Sequence, residues 1–117
     1  MPYQVKFHRD FVPEWKRLAM ELKELVGEVL DQLEDDGPSL GRPQVDTLKG
    51  SRYVNMKEIR VRFRREVWRF AFAFDADRAA VVLCGADKQG TNESLFYRQL
   101  VKKADSRFDE WLRETKR

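Results

Sequence analysis

Residues 57–87 read KEIRVRFRREVWRFAFAFDADRAAVVLCGAD, and this stretch decides the fold. Apolar and polar side chains alternate over 57–63 and again over 67–75, which is the period-two pattern of half-buried strands. Residues 79–87 begin with a continuous apolar run, which is typical of a strand buried on both faces. Both connections are short enough for hairpins. The sequence therefore predicts an antiparallel meander of three strands.

The segments that precede the meander predict a first strand and a helical region. Tyr3, Val5 and Phe7 alternate with polar residues, so residues 3–7 fit a half-buried strand. Apolar residues then recur at helical spacing as far as Leu33, after a start near Pro13. This region fits either one helix bent near Gly27 or two helices that break near residues 19–20.

The remaining segments complete an α+β fold. Residues 37–51 are rich in glycine, proline and serine and predict a loop. A last helix is expected from Thr91 or Asn92 to about Arg113. We predict a small antiparallel sheet, made of the N-terminal strand and the meander, packed against N-terminal helices and a C-terminal helix. The helices cover one face of the sheet, and residues 1–117 form a single domain.

The composition excludes several classes of protein. The only cysteine is Cys84, so no intrachain disulfide forms, and the chain suits a reducing compartment. No apolar run reaches membrane-spanning length, and the N-terminus does not look like a signal peptide. We therefore expect a cytoplasmic protein. His8 is the only histidine, so the cluster of ligands that zinc needs is missing. No metal or cofactor is expected.

Charge is segregated along the chain, although the net charge is only +3. Acidic residues predominate between Asp10 and Asp36, and basic residues predominate between Arg42 and Arg69. This asymmetry suggests a nucleic acid or an acidic partner. The alternative is a pair of solvated charged faces.

The alternation in the meander predicts a basic sheet surface. If Ile59 faces the core, Glu58 and Arg60 face the other side, and Arg69 from the next strand lies beside them. Arginines bind phosphate bidentately and stabilise the charge of a phosphoryl transition state. Glu58 is expected to stay ionised among these cations, so it can accept a 2′-hydroxyl proton. The alternative is an exposed polar face on which Glu58 forms an ion pair with Arg60 or Arg69.

Five short stretches, in this order and spacing, resemble a known family. They are GPSLGRP (37–43), LKGSR (48–52), NMKEIR (55–60), WRFAFAFD (68–75) and GADK (85–88). Together they resemble the phage-derived HigB branch of the RelE/ParE toxin superfamily.

The resemblance implies the toxin of a type II toxin–antitoxin system. Such a toxin is a ribosome-dependent endoribonuclease that cleaves messenger RNA without a metal. Its partner is a helix-turn-helix, HigA-like antitoxin, and operator DNA is contacted only through that antitoxin. The alternative is a non-enzymatic, ParE-like toxin or binding module that acts on a protein target such as gyrase.

The resemblance and the sheet pattern together give two sets of candidate residues. Those predicted to be catalytic are Glu58, Arg60, Arg69, Lys88, Lys57 and Tyr97. Those predicted to bind RNA are Lys49, Arg52, Arg62, Arg64 and Arg65. Some family members have further histidines at this site, but this chain has none after His8. The general acid would then be Lys88, Tyr97 or an arginine, or proton transfer would be left largely to solvent and the ribosome.

Overall fold

The protein is described here by a computed structural model that covers residues 3–115. Its elements confirm the predicted α+β class and, with one added strand, the predicted order. They are β1 (Gln4–Phe7), α1 (Phe11–Lys16), α2 (Met20–Asp36), β2 (Val45–Thr47), β3 (Met56–Phe63), β4 (Glu66–Phe74), β5 (Ala79–Asp87) and α3 (Glu93–Thr115). A short 3₁₀ turn, Gly37–Ser39, follows α2.

The N-terminal helical region forms two helices, as one of the two predicted alternatives had it. The break comes at Ala19, whose backbone is extended with φ −59° and ψ 143°. Gly27 lies inside α2 and does not end it.

The five strands form one sheet in the order β1-β5-β4-β3-β2. The antiparallel meander β3-β4-β5 is confirmed. The structure differs from the prediction at both edges. Strand β1 runs parallel to β5, so the sheet is mixed. Strand β2 pairs with β3 inside the segment predicted as a loop, and its three residues are too few to show a periodic pattern.

Both faces of the sheet are covered by helices, although only one was predicted to be. Helix α2 packs on the face that carries Ile59 and Phe70. Helix α3 packs on the other face, where its buried Phe96 and Phe108 contact a second core that includes Leu83. The reason is β5, which is buried on both sides and therefore needs apolar cover on both sides. Within residues 3–115 no helix is long and apolar enough to cross a membrane.

The pairing of β4 with β5 gives a stability test. Gly85 lies opposite Phe70, and a Cβ atom on Gly85 would collide with the buried Phe70 ring. We expect Gly85→Ala to lower the free energy of unfolding by about 1–3 kcal/mol, measured by urea denaturation. Gly27→Ala is the matched control, because it adds the same methyl group to open space within a helix. It should raise stability by up to about 1 kcal/mol. An unchanged Gly85→Ala protein would contradict this packing.

Candidate active site

The meander places three of the predicted residues side by side. In the β3–β4 register Arg60 lies opposite Arg69, and Glu58 lies opposite the small Ala71. Glu58 and Arg69 are buried, with 6% and 5% of their surface exposed, whereas Arg60 is exposed. Two arginines directly across a strand pair repel each other, so this arrangement favours an anion beside them.

Tyr97 from α3 joins Glu58 to Arg69. Its hydroxyl donates a hydrogen bond to Oε1 of Glu58 at 2.9 Å and accepts one from Nε of Arg69 at 2.7 Å. Arg69 also donates to the carbonyl of Val67 at 3.1 Å, and its guanidinium lies 5.4 Å from the ring centroids of both Phe96 and Tyr97. We call Glu58, Tyr97 and Arg69 the buried network. The direct ion pair between Arg69 and Glu58 that was one alternative does not occur in the described chain, because the phenol bridges them.

Burial raises the pKa of Glu58, although cations lie nearby. The hydrogen bond from Tyr97 and the charges of Arg60 and Arg69 oppose that rise, and the carboxylate of Asp46 adds to it. The expectation that the cations would dominate is therefore corrected, since burial is the largest effect. Asp46 lies directly opposite Glu58 in the β2–β3 pair. A carboxylate with a raised pKa is a stronger base than an exposed glutamate.

The phenol of Tyr97 keeps its proton. Burial raises the pKa of Tyr97, and the hydrogen bond and negative charge of Glu58 raise it further. In the free protein Tyr97 therefore donates a hydrogen bond to Glu58 at neutral pH.

Two clefts meet at the buried network. Glu58 and Tyr97 line the first cleft, which has a volume of about 870 Å³ and lies between the β2–β3 connection and α3. Arg69, Lys88 and Arg65 line the second cleft. The hydrogen bond from Arg69 to Tyr97 thus joins residues of different clefts. Lys88 also lies 3.8 Å from the carboxylate of Glu93.

One candidate catalytic residue lies away from the others. Lys57 is one residue before Glu58, so its side chain lies on the face of Ile59, against the α2 side of the sheet. The structure does not bring Lys57 together with the buried network.

The predicted RNA-binding residues divide into two groups. The side chains of Lys49, Arg62 and Arg65 are exposed and form no hydrogen bond or ion pair with any residue from 3 to 115. Arg64, at φ 57° in the β3–β4 turn, lies 4.7 Å from the Phe63 ring centroid and 4.0 Å from Glu21. Arg52 donates a hydrogen bond to Asp109 on α3 and is therefore less available to a ligand than the first three residues.

Two carboxylates of α3 anchor the β2–β3 connection. Asp105, which is buried, accepts hydrogen bonds from the Ser51 hydroxyl and, at 3.0 Å, from the Arg52 amide. Asp109 accepts from Arg52 and from the Tyr53 hydroxyl. These contacts, which we call the loop clamp, fix one wall of the first cleft. Sequence reasoning missed them, because the partners are more than 50 residues apart and share no motif.

A separate group of possible metal ligands includes Glu110, which lies near the C-terminal end of α3. The ligand atoms of His8, Asp10 and Glu110 lie within 4.8 Å of one another. Nδ1 of His8 accepts the Asp10 amide hydrogen at 3.1 Å, and Nε2 lies 2.8 Å from Oε1 of Glu110. That contact is short, but its geometry is not that of a hydrogen bond. Nε2 has no hydrogen-bond partner among residues 3–115. Arg9 already pairs with Glu110 at 2.8 Å, so the donor set does not favour a metal ion.

Comparison with solved structures identifies the class of fold. A double-arginine mutant of the Escherichia coli toxin RelE in the free state superimposes with a TM-score of 0.60 and 17% identity, over 88% of this chain and 97% of that one. The archaeal RelE–RelB complex from Pyrococcus horikoshii OT3 gives a TM-score of 0.56 and 21% identity, over 78% of this chain and 100% of that one. The fold is therefore that of RelE.

Sequence comparison then identifies the family. The model of the phage-derived protein Gp49-like family (DUF891) matches residues 13–109. "Putative toxin HigB2" of Mycobacterium tuberculosis (strain H37Rv) is 44% identical over 97 residues, 81% of this chain, but the match spans only 47% of that protein. "Putative toxin HigB3" of the same strain is 43% identical over 83 residues, 71% of this chain and 70% of that protein. This chain belongs to the Gp49-like family, and the predicted resemblance to HigB-like members of the RelE superfamily is confirmed.

The buried network gives a test that does not depend on activity. Tyr97→Phe removes one hydroxyl and leaves both Nε of Arg69 and a buried carboxylate oxygen without that partner. We expect a loss of about 1–3 kcal/mol in the free energy of unfolding, measured by urea denaturation. Tyr3→Phe is the control, because the Tyr3 ring packs on Phe74 and its hydroxyl bonds to no described residue. Equal stability of the two variants would show that the network does not hold α3 on the sheet.

Proposed function

We propose that this protein is the toxin of a type II toxin–antitoxin system and that it cleaves messenger RNA on the ribosome. The observation that carries the proposal is the buried network beside Arg60. The buried network supplies a carboxylate of raised pKa, a phenol from α3 that is held in place, and Arg69. Arg60 lies opposite Arg69 on the same face of the sheet. The relatives named as toxins support the same reading.

The proposed reaction is attack of a ribose 2′-hydroxyl on the adjacent phosphate. Glu58 accepts the hydroxyl proton, the new 2′-O–P bond forms, and the P–O5′ bond breaks. Lys88 or Tyr97 gives a proton to the leaving 5′ oxygen. The products are a 2′,3′-cyclic phosphate and a 5′-hydroxyl. Glu58 and Lys88 line different clefts, which suits a base and an acid that act on opposite sides of the phosphorus.

The two central arginines have different tasks. The side chain of Arg60 is exposed and forms no hydrogen bond or ion pair with residues 3–115, so its guanidinium is available to bind the phosphate. Arg69 is buried and already held by Tyr97 and Val67. Such a preorganised cation needs little rearrangement to stabilise charge that develops on the phosphate.

The partners follow from this proposal. The ribosome and messenger RNA place the reaction in the cytoplasm. We propose that a HigA-like, helix-turn-helix antitoxin neutralises the protein and that operator DNA is contacted only through it. One structural neighbour is a RelE–RelB complex, which supports an antitoxin partner in general.

Substitution of Arg69 tests the chemistry. Arg69→Ala should lower ribosome-dependent cleavage by about 10²–10³-fold, because a transition-state cation is lost. Arg69→Lys should recover little, since a lysine lacks the bidentate geometry. Lys6→Ala, on the exposed face of the opposite edge strand, should cleave normally.

Thermal melting and antitoxin binding show whether each variant is folded. Arg60→Ala is a second test of the site, because Arg60 is exposed and its removal should leave the fold intact. Full cleavage by a folded Arg69→Ala protein would reject Arg69 and leave Arg60 and Lys88. Inhibition of gyrase supercoiling by a wild-type protein that never cleaves would favour the ParE-like alternative.

The pKa of Glu58 predicts the pH dependence. Glu58 acts as a base only when it is ionised, and its raised pKa moves that ionisation above the usual range. The cleavage rate should fall as the pH is lowered, with a midpoint above the value of about 4.3 for an ordinary glutamate. Single-turnover rates should be measured over the range in which ribosomes stay intact. The Glu58→Gln protein should cleave slowly at every pH and should not show this fall in rate at low pH. If the fall is unchanged, it comes from the titration of another group.

A further inference from the structure

We propose that Lys49, Arg98 and Lys102 form a phosphate-binding track that seats single-stranded RNA in the first cleft, next to Glu58. We call these three residues the basic rim. The inference rests on the proposed function, because the RNA strand in the cleft is the substrate of the proposed cleavage. Arg98 and Lys102 stand outside every motif that suggested the site.

The basic rim borders the cleft from two elements. Arg98 and Lys102 are one helical turn apart on α3, so their side chains project in the same direction. Lys49 comes from the β2–β3 connection, and all three side chains line the cleft that also holds Glu58 and Tyr97. All three are exposed at the rim.

Two acids of the same cleft lie beside a cation and the third accepts a hydrogen bond from a phenol, whereas the side chains of the basic rim have no partner among residues 3–115. Asp46 lies 3.7 Å from Arg42, Glu93 lies 3.8 Å from Lys88, and Glu58 accepts the bond from Tyr97. The side chains of the three rim residues form no hydrogen bond or ion pair within the described part of the chain.

Unpaired like charges destabilise the free protein slightly. Two cations one turn apart on a helix repel each other, and a bound anion relieves that repulsion. The basic rim is therefore arranged for an anionic ligand that comes from outside the chain.

The shape of the cleft favours RNA as that ligand. Val101 and Tyr97 line it beneath the charged rim, so apolar and aromatic surface lies beside the cations. Proteins that bind single strands combine a basic groove for the backbone with such surface for the bases. An acidic protein segment would use the rim but not the interior. The cleft volume of about 870 Å³ is large enough for a nucleotide.

The loop clamp holds Lys49 in position. Lys49 is two residues before Ser51, which hydrogen bonds to the buried Asp105 of α3. The same helix carries Arg98 and Lys102, so the two sides of the track are fixed to each other. A prearranged site loses less conformational entropy when its ligand binds.

The test measures binding of a short 2′-O-methyl RNA, which cannot be cleaved, by fluorescence anisotropy at several salt concentrations. It uses the double variant Arg98→Ala/Lys102→Ala. Each lost phosphate contact should reduce the slope of log affinity against log salt by about 0.7, so the double variant should lose about 1.4. The matched control is Lys6→Ala/Lys16→Ala, which removes two exposed cations from β1 and α1 and should bind as the wild type does. A rim variant that binds like this control overturns the proposal.

Two further outcomes separate this inference from the proposed function. If the wild type never cleaves messenger RNA but the rim variant binds RNA more weakly than the control, the track stands and the catalytic proposal falls. If cleavage is normal and both double variants bind and cleave alike, the track falls and the catalytic proposal stands. Binding of polyglutamate as tightly as RNA by the wild type would overturn the assignment of the rim to RNA.

Discussion

The structure depends on one constraint, which is that strand β5 is apolar on both faces. A strand of this kind cannot lie at the surface of a two-layer fold, so helices must cover both sides of the sheet. Helices α1 and α2 supply one cover, and α3 supplies the other with Phe96, Leu100, Ala104 and Phe108 at four-residue spacing. Tyr97 follows Phe96 directly, so burial of that phenylalanine brings the phenol to Arg69 and Glu58. The buried network is thus a consequence of core packing.

The buried network is unfavourable for the free energy of folding. A carboxylate and a guanidinium lose most of their hydration there, and one phenol does not replace that hydration fully. Asp46 opposite Glu58 and Arg60 opposite Arg69 add two like-charge pairs. A fold selected for stability alone would avoid this arrangement. Such unfavourable clusters are characteristic of sites at which a ligand or transition state supplies the missing charge.

Strong local patterns made part of the structure predictable. The alternation of residues 57–75 predicted the meander and the common face of Glu58, Arg60 and Arg69, because strand periodicity directly reports the face. The same alternation places Lys57, which was predicted as an alternative to Glu58, on the opposite face of the sheet. Strand β2 was missed because three residues carry no period, and its register with β3 is what places Asp46 opposite Glu58. The parallel pairing of β1 and the position of α3 are set by tertiary contacts that no local pattern encodes.

Helix α3 carries two rows of side chains, and together they limit how the sequence of this helix can change. The stripe that fills the core and the stripe that lines the first cleft belong to one rigid rod. An insertion of a single residue between Tyr97 and Leu100 would rotate the rest of α3 by about 100° relative to the residues before it. Core fit and cleft shape would be lost together, so neither can drift in evolution without the other. The length of α3 between Phe96 and Asp109 is therefore set by the geometry of both surfaces.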